Sequence, residues 1–119
     1  MPVLPLNQED WEILEGCPLL RHCSPALLDQ ITQEGRLEFF PTGATVYSPS
    51  HFCRCLGILL AGRLQVTKGT LTVSYLEPGD LFGAAALYTE APKFVTTITA
   101  RQSSRCLMLP QNLSLIHIS

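Results

Sequence analysis

The chain has 119 residues, 46% of them hydrophobic and 15% charged, with a formal net charge of −2 and a pI near 5.8. That is one domain with a real core, too short for two and too apolar to be disordered. A slightly acidic chain has no basic footprint for holding nucleic acid by bulk electrostatics. No apolar run is long enough to span a bilayer, and the N-terminus lacks a basic stretch followed by an apolar one, so a cytoplasmic protein is expected. Five cysteines (Cys17, Cys23, Cys53, Cys55, Cys106) are an odd number without an export signal, which favours reduced thiols over a disulfide framework.

Residues 1–7 form a proline-containing lead. Asn7 or Asp10 is placed to cap a short helix running toward Glu15, with Trp11, Ile13 and Leu14 as its apolar surface and Gly16 as its end. Ser24-Pro25 then gives a clear helix start, Ser at the cap and Pro at the first helical position. Leu27, Leu28 and Ile31 follow at helical spacing, and Gly35 sits where the helix should stop.

After Gly35 the pattern changes to short strands. The expected strands are Arg36–Phe40, Thr45–Tyr47, Leu56–Leu60, Arg63–Lys68, Thr70–Leu76, Val95–Ala100 and Arg105–Leu109, with glycine- and proline-rich turns between them. This spacing indicates a β-sandwich, barrel or jelly roll preceded by helices. Leu64 and Val66, then Leu71, Val73 and Tyr75, alternate as half-buried antiparallel strands should.

The stretch Leu76–Ala100 combines the turn Glu77-Pro78-Gly79-Asp80, a Phe82-Gly83 step, the small residues Ala84-Ala85-Ala86, a polar excursion from Tyr88 to Lys93, and a β-branched run. One reading is an anion cradle: glycine admits a ligand to the backbone, and a helix start offers free N–H groups. The other is a tight roll corner with alanines packed beneath it. Leu113–Ser119, LSLIHIS, resembles the translation of a sequencing adapter, which would place the end of the natural frame near Asn112 and remove His117 from any site.

Taken together, Pro41-Thr42-Gly43 before Val46-Tyr47, Leu60-Ala61-Gly62-Arg63-Leu64, Leu76–Gly83 and Thr99-Ala100 resemble the cyclic-nucleotide-binding domain. More narrowly, they are similar to the sensor domain of Crp/Fnr-type bacterial transcription regulators, as are Leu19-Leu20 and Ser24–Leu28. The resemblance implies a mainly β fold with N-terminal helices, a double-stranded β-helix (jelly roll). Residues 1–15 would be a helical lead, 16–112 the sensor domain and 113–119 a non-native tail. It also implies a phosphate-binding cassette from Phe82 onward, in which a Glu after Phe-Gly holds the ribose hydroxyl and an Arg further on pairs with the cyclic phosphate.

Both side chains are missing here. Ala84 stands at the Glu position. The Arg position is Phe94 counting back from Ala100, or Lys93 counting forward from Gly83 past Pro92. Lysine gives a point charge without the guanidinium fork. Charge-assisted hydrogen bonds contribute roughly 1.5–3 kcal/mol each, so tight cyclic-AMP binding is not expected. The candidate ligand-binding residues are the backbone near Phe82, Gly83, Ala84, Ala85 and Ala86, with Lys93, Thr96 and Thr97 as polar side chains. Phe82, Tyr88 and Phe94 are either core or the wall of an apolar pocket.

Other chemistry has less support. Cys17/Cys23 and Cys53/Cys55 lack iron–sulfur ligand spacing, and Cys53, Cys55 or His51 would be local haem ligands. The simpler reading makes Cys17, Cys55 and Cys106 small buried hydrophobes, and His22 and His51 surface or turn residues. No catalytic constellation stands out, and the His-x-His…Glu…His set of the cupin enzymes is absent. The expectation is therefore a sensor, not an enzyme. It needs no cofactor or metal, takes an unidentified small-molecule effector, and does not touch a membrane. It is homodimeric in the full protein, through a helix starting near Pro110, and reaches DNA only through a missing C-terminal domain. A ligand-free structural or dimerisation module is the alternative. The chain alone should bind no operator DNA and dimerise poorly.

Overall fold

The structure, a computed structural model, describes residues 5–17, 24–48, 55–83 and 96–110. Helix α1 spans Gln8–Gly16 and α2 spans Pro25–Glu34. The strands among the described residues are β1 (Arg36–Phe40), β2 (Thr45–Tyr47), β3 (Cys55–Ala61), β4 (Leu64–Lys68), β5 (Leu71–Leu76), β6 (Leu81–Phe82), β7 (Thr96–Ala100) and β8 (Ser104–Pro110). They form two four-stranded antiparallel sheets, ordered β1-β8-β3-β6 (sheet A) and β2-β7-β4-β5 (sheet B). This is the mainly β jelly roll with N-terminal helices that the sequence implied. The two-residue β6 is the one strand not anticipated.

Both cap candidates of α1 are used. The Asn7 side chain accepts from the Asp10 N–H at 2.8 Å, and the Asp10 carboxylate accepts from the Asn7 N–H at 3.0 Å. Asp10 is only 1% exposed, and its other oxygen is ion-paired to Arg105 on β8. The cap thus also fastens the helix to the roll. Ser24 precedes α2, Pro25 opens it, and the Gly35 N–H closes its last turn on the Ile31 carbonyl at 2.8 Å. The side chains of Leu27 and Leu28 lie outside the described set.

Sheet A is covered on both faces, which explains the unbroken apolar runs of β3 and β8. Alternate residues Leu56, Ile58, Leu60, Leu107 and Leu109 pack with Leu14, Cys17 and Ile31 of the helical layer. The residues between them, Cys55, Leu59, Cys106 and Met108, face the roll interior with Tyr47, Leu64, Phe82, Ile98 and Ala100. Each fully buried leucine contributes roughly 1.5–3 kcal/mol, so these two clusters dominate the stability. No helix among the described residues is long and apolar enough to cross a membrane.

Strand β5 departs from expectation. Leu71, Val73 and Tyr75 are 68%, 55% and 42% exposed rather than half-buried. β5 is the edge of sheet B, and its register against β4 slips at Val73 in a β-bulge. The bulge also breaks the alternation expected of Leu71, Val73 and Tyr75: Leu71 pairs with Lys68 on one face of the sheet, and Tyr75 pairs with Gln65 on the other.

Candidate functional site

The turn before the predicted cassette is bolted to the middle of sheet A. The Asp80 N–H bonds the Glu77 carbonyl at 2.9 Å, with Pro78 and then Gly79 (φ +99°) at the centre, the requirements of a type II turn. The Asp80 carboxylate accepts from the Glu77 N–H at 2.8 Å. The Gly79 N–H then donates to the Leu59 carbonyl at 2.7 Å, and the Leu59 N–H to the Asp80 carbonyl at 3.0 Å. β6 follows at once, pairing Leu81 with Ile58 and Phe82 with Gly57.

Two glycines set the cassette entrance. A side chain on Gly57 would overlap the Phe82 ring, whose nearest atoms lie 2.2–2.7 Å from the Cβ position, so the ring rests on bare backbone. Gly83 has φ +85°, and a Cβ there would sit 2.6 Å from the Cys55 carbonyl oxygen. Phe82 is buried in the interior cluster, as core packing demands. Ala84, Ala85, Ala86, Tyr88, Lys93 and Phe94 lie outside the described residues, as do His22, Cys23, His51 and Cys53.

The chain resumes at β7, and the two predicted threonines separate. Thr96 and Thr97 are successive strand residues and take opposite faces. Thr97 is opposite Thr67, whose hydroxyl reaches the Thr97 carbonyl at 3.5 Å, on the outer face of sheet B. Thr96 is opposite Lys68 and shares the inner face with buried Ile98 and Ala100.

The register defines three transverse rows on that inner face. Leu76, Leu64 and Ala100 form the innermost, then Ser74, Val66 and Ile98, and last Leu71, Lys68 and Thr96. Leu64 and Ala100 have no exposure, whereas Leu71 and Lys68 are exposed. Among the described residues the inner face is therefore sealed at the Leu64–Ala100 row and exposed at the Leu71–Lys68 row, its open end. The sequence does not single out Lys68, Leu71 or Val73, because it shows their strand membership and not their exposure. The outer face of the same sheet is tied differently: the Arg63 guanidinium lies 4.1 Å from the Tyr75 ring centroid and pairs with Glu77 at 3.1 Å, and Gln65 bonds Thr72 at 2.7 Å.

Cys17, Cys55 and Cys106 are buried thiols outside any disulfide, as the simpler reading held. Burial first, and then the Glu38 charge, push the Cys106 thiol up to about 12, so it stays protonated and unreactive. Among the described residues no three His, Cys, Asp or Glu side chains gather to hold a metal. A separate open cleft of about 550 Å³ lies where α1 meets β1 and β8, bounded by Asn7, Glu9, Phe39, Ser103 and Arg105, and no predicted site residue lines it.

Helices followed by two packed antiparallel sheets, with Gly83 at positive φ directly after β6, define a jelly-roll class of protein. Residues 37–113 match the family described as Cyclic nucleotide-binding domain, more than half of the chain, and the protein belongs to that family. Among solved structures it is similar to the sensor domain of the transcriptional regulator DNR from Pseudomonas aeruginosa, at TM-score 0.73 and 17% identity, covering 86% of this chain and 75% of that one. It is also similar to the regulatory domain of Toxoplasma gondii PKA with cAMP (TM-score 0.74, 20% identity, 89% of this chain and 42% of that one). A third is the regulatory subunit of a cAMP-independent protein kinase A from Trypanosoma brucei (TM-score 0.73, 17% identity, 85% and 39%). At these identities the likeness carries the fold. No curated protein sequence matches significantly.

Proposed function

We propose that this chain is the effector-sensing domain of a Crp/Fnr-type transcription regulator whose effector is not cyclic AMP. The observation that carries it is the inner row Leu71, Lys68 and Thr96, exposed at Leu71 and Lys68, in a family fold whose cassette has Ala84 where a carboxylate would stand. The likeness to the DNR sensor domain supports the regulator assignment, and the regulatory subunit described as cAMP-independent is a precedent for the fold without that nucleotide. In this reading the domain covers residues 16–112, the tail 113–119 is foreign to it, and DNA contact and homodimerisation reside in sequence beyond Pro110. The cassette backbone from Phe82 to Ala86, with Lys93, Phe94 and Thr96, borders the ligand, and Thr97, on the outer face of sheet B, does not. The domain carries out no catalysis.

A second reading, a structural module without ligand, is favoured by one feature: Phe82 already fills the space over Gly57 in a well-packed interior. Thermal-shift measurements against nucleotides, small acids and haem separate the two. A concentration-dependent rise in melting temperature supports the sensor; a flat response across the panel supports the module. A gel-shift assay with this chain should show no specific operator complex, and its appearance would contradict the assignment of DNA binding to sequence beyond Pro110.

A further inference from the structure

We propose that the open end of the roll takes an apolar monocarboxylate, its anion on Lys68 and Thr96 and its apolar body over Leu71 and Val73. This rests on the reading of that end as the effector site. Lys68 is the only charged side chain in the three inner-face rows of sheet B, and its ammonium makes no ion pair among the described residues. With no carboxylate in those rows among the described residues, Lys68 favours anions over cations there.

The flanking residues set the rest of the ligand. Register partners on antiparallel strands hold their Cβ atoms about 4.5–5.5 Å apart, so Thr96 on β7 and Leu71 on β5 lie on either side of Lys68. An ammonium and a hydroxyl on one side suit two oxygens of one carboxylate. Leu71, with the bulged Val73 beside it, offers 68% and 55% exposed apolar surface on the other. A phosphate dianion would want more than a single point charge, and a bidentate guanidinium is not there to hold it. A neutral apolar molecule would use Leu71 and Val73 but gain nothing from Lys68. An amphiphile with one negative charge uses the whole row.

The probe pair is 1-naphthylacetate and its neutral isostere 1-naphthylacetamide, titrated into the 119-residue chain by two-dimensional amide NMR, with cyclic AMP and haem in parallel. The expected result is saturable movement of the Lys68, Leu71, Val73 and Thr96 amides with the acid. Binding should weaken at least tenfold for the amide and at least tenfold for the acid in Lys68→Gln, a change at an exposed position that leaves the fold intact. Equal affinity of acid and amide, or an unchanged affinity in Lys68→Gln, overturns the proposal. If these amides move only with cyclic AMP or haem, the carboxylate assignment falls while the effector site stands. If no probe moves them, both fall.

Discussion

The inner face of sheet B has two ends built from the same strands and serving different ends of the energy scale. At the closed end Leu64 and Ala100 pack with Leu59, Cys106 and Met108 of sheet A in a cluster sealed from solvent. At the open end Leu71, Val73 and Lys68 project with nothing of the described chain over them. β4 and β7 alternate without a break along both ends, whereas β5 is bulged at Val73 between them. What separates them among the described residues is burial, since Leu64 and Ala100 pack against sheet A and Leu71 stays exposed. Stability concentrates where the sheets overlap, and the proposed binding surface lies where the described residues are exposed.

The comparison breaks if substitutions at the two ends have similar effects. Leu59→Ala at the closed end should cost about 3 kcal/mol, the loss of a buried side chain plus the cavity left behind, measured by urea denaturation. Asp10→Asn tests the attachment of α1 and should cost about 2 kcal/mol. Removing one partner strands the other, but Arg105 reaches solvent in part and the loss is smaller than for a sealed pair. Replacing both, with Asp10→Leu and Arg105→Met, should recover most of it, and a double variant as unstable as the single one would show that the pair is not the cause.

Cys106 gives a pH-dependent version of the same contrast. Its folded pKa is raised, so its proton stays on in the folded state after the unfolded thiol has lost its own. The contribution is fully present below the ordinary thiol pKa and is lost as pH rises from about 9 toward 12, at no more than ~1.4 kcal/mol per pH unit. In Cys106→Ala the alkaline fall in stability should be shallower over that window, and an unchanged slope would mean that the thiol is not shielded. The smallest effect belongs to the open end: Leu71→Ser and Val73→Ser should each stay within about 0.5 kcal/mol of the parent chain.

Local chemistry made much of this fold legible. Asn7, Ser24-Pro25 and Glu77-Pro78-Gly79-Asp80 act through neighbours in the chain, so the caps and the turn could be read directly. β6 could not be, since two residues carry no periodicity and Leu81-Phe82 pairs only because the turn is already bonded to Leu59. Asp10 and Arg105 are 95 positions apart, and nothing local links a cap residue to a strand on the far side of the domain. For the site, the glycine step at Gly83 was visible and the split of Thr96 from Thr97 followed from strand geometry. Lys68 was not visible, because its role depends on its exposure.

Isothermal titration with cyclic AMP tests the central claim most directly. If Ala84 and Lys93 or Phe94 stand where the carboxylate and the guanidinium would, as proposed, two charge-assisted contacts of roughly 1.5–3 kcal/mol each are lost, a combined factor of about 10²–10⁴ in affinity. The account predicts no saturable heat at millimolar nucleotide. A saturable isotherm with a micromolar Kd would contradict it and return the open end to cyclic-nucleotide recognition.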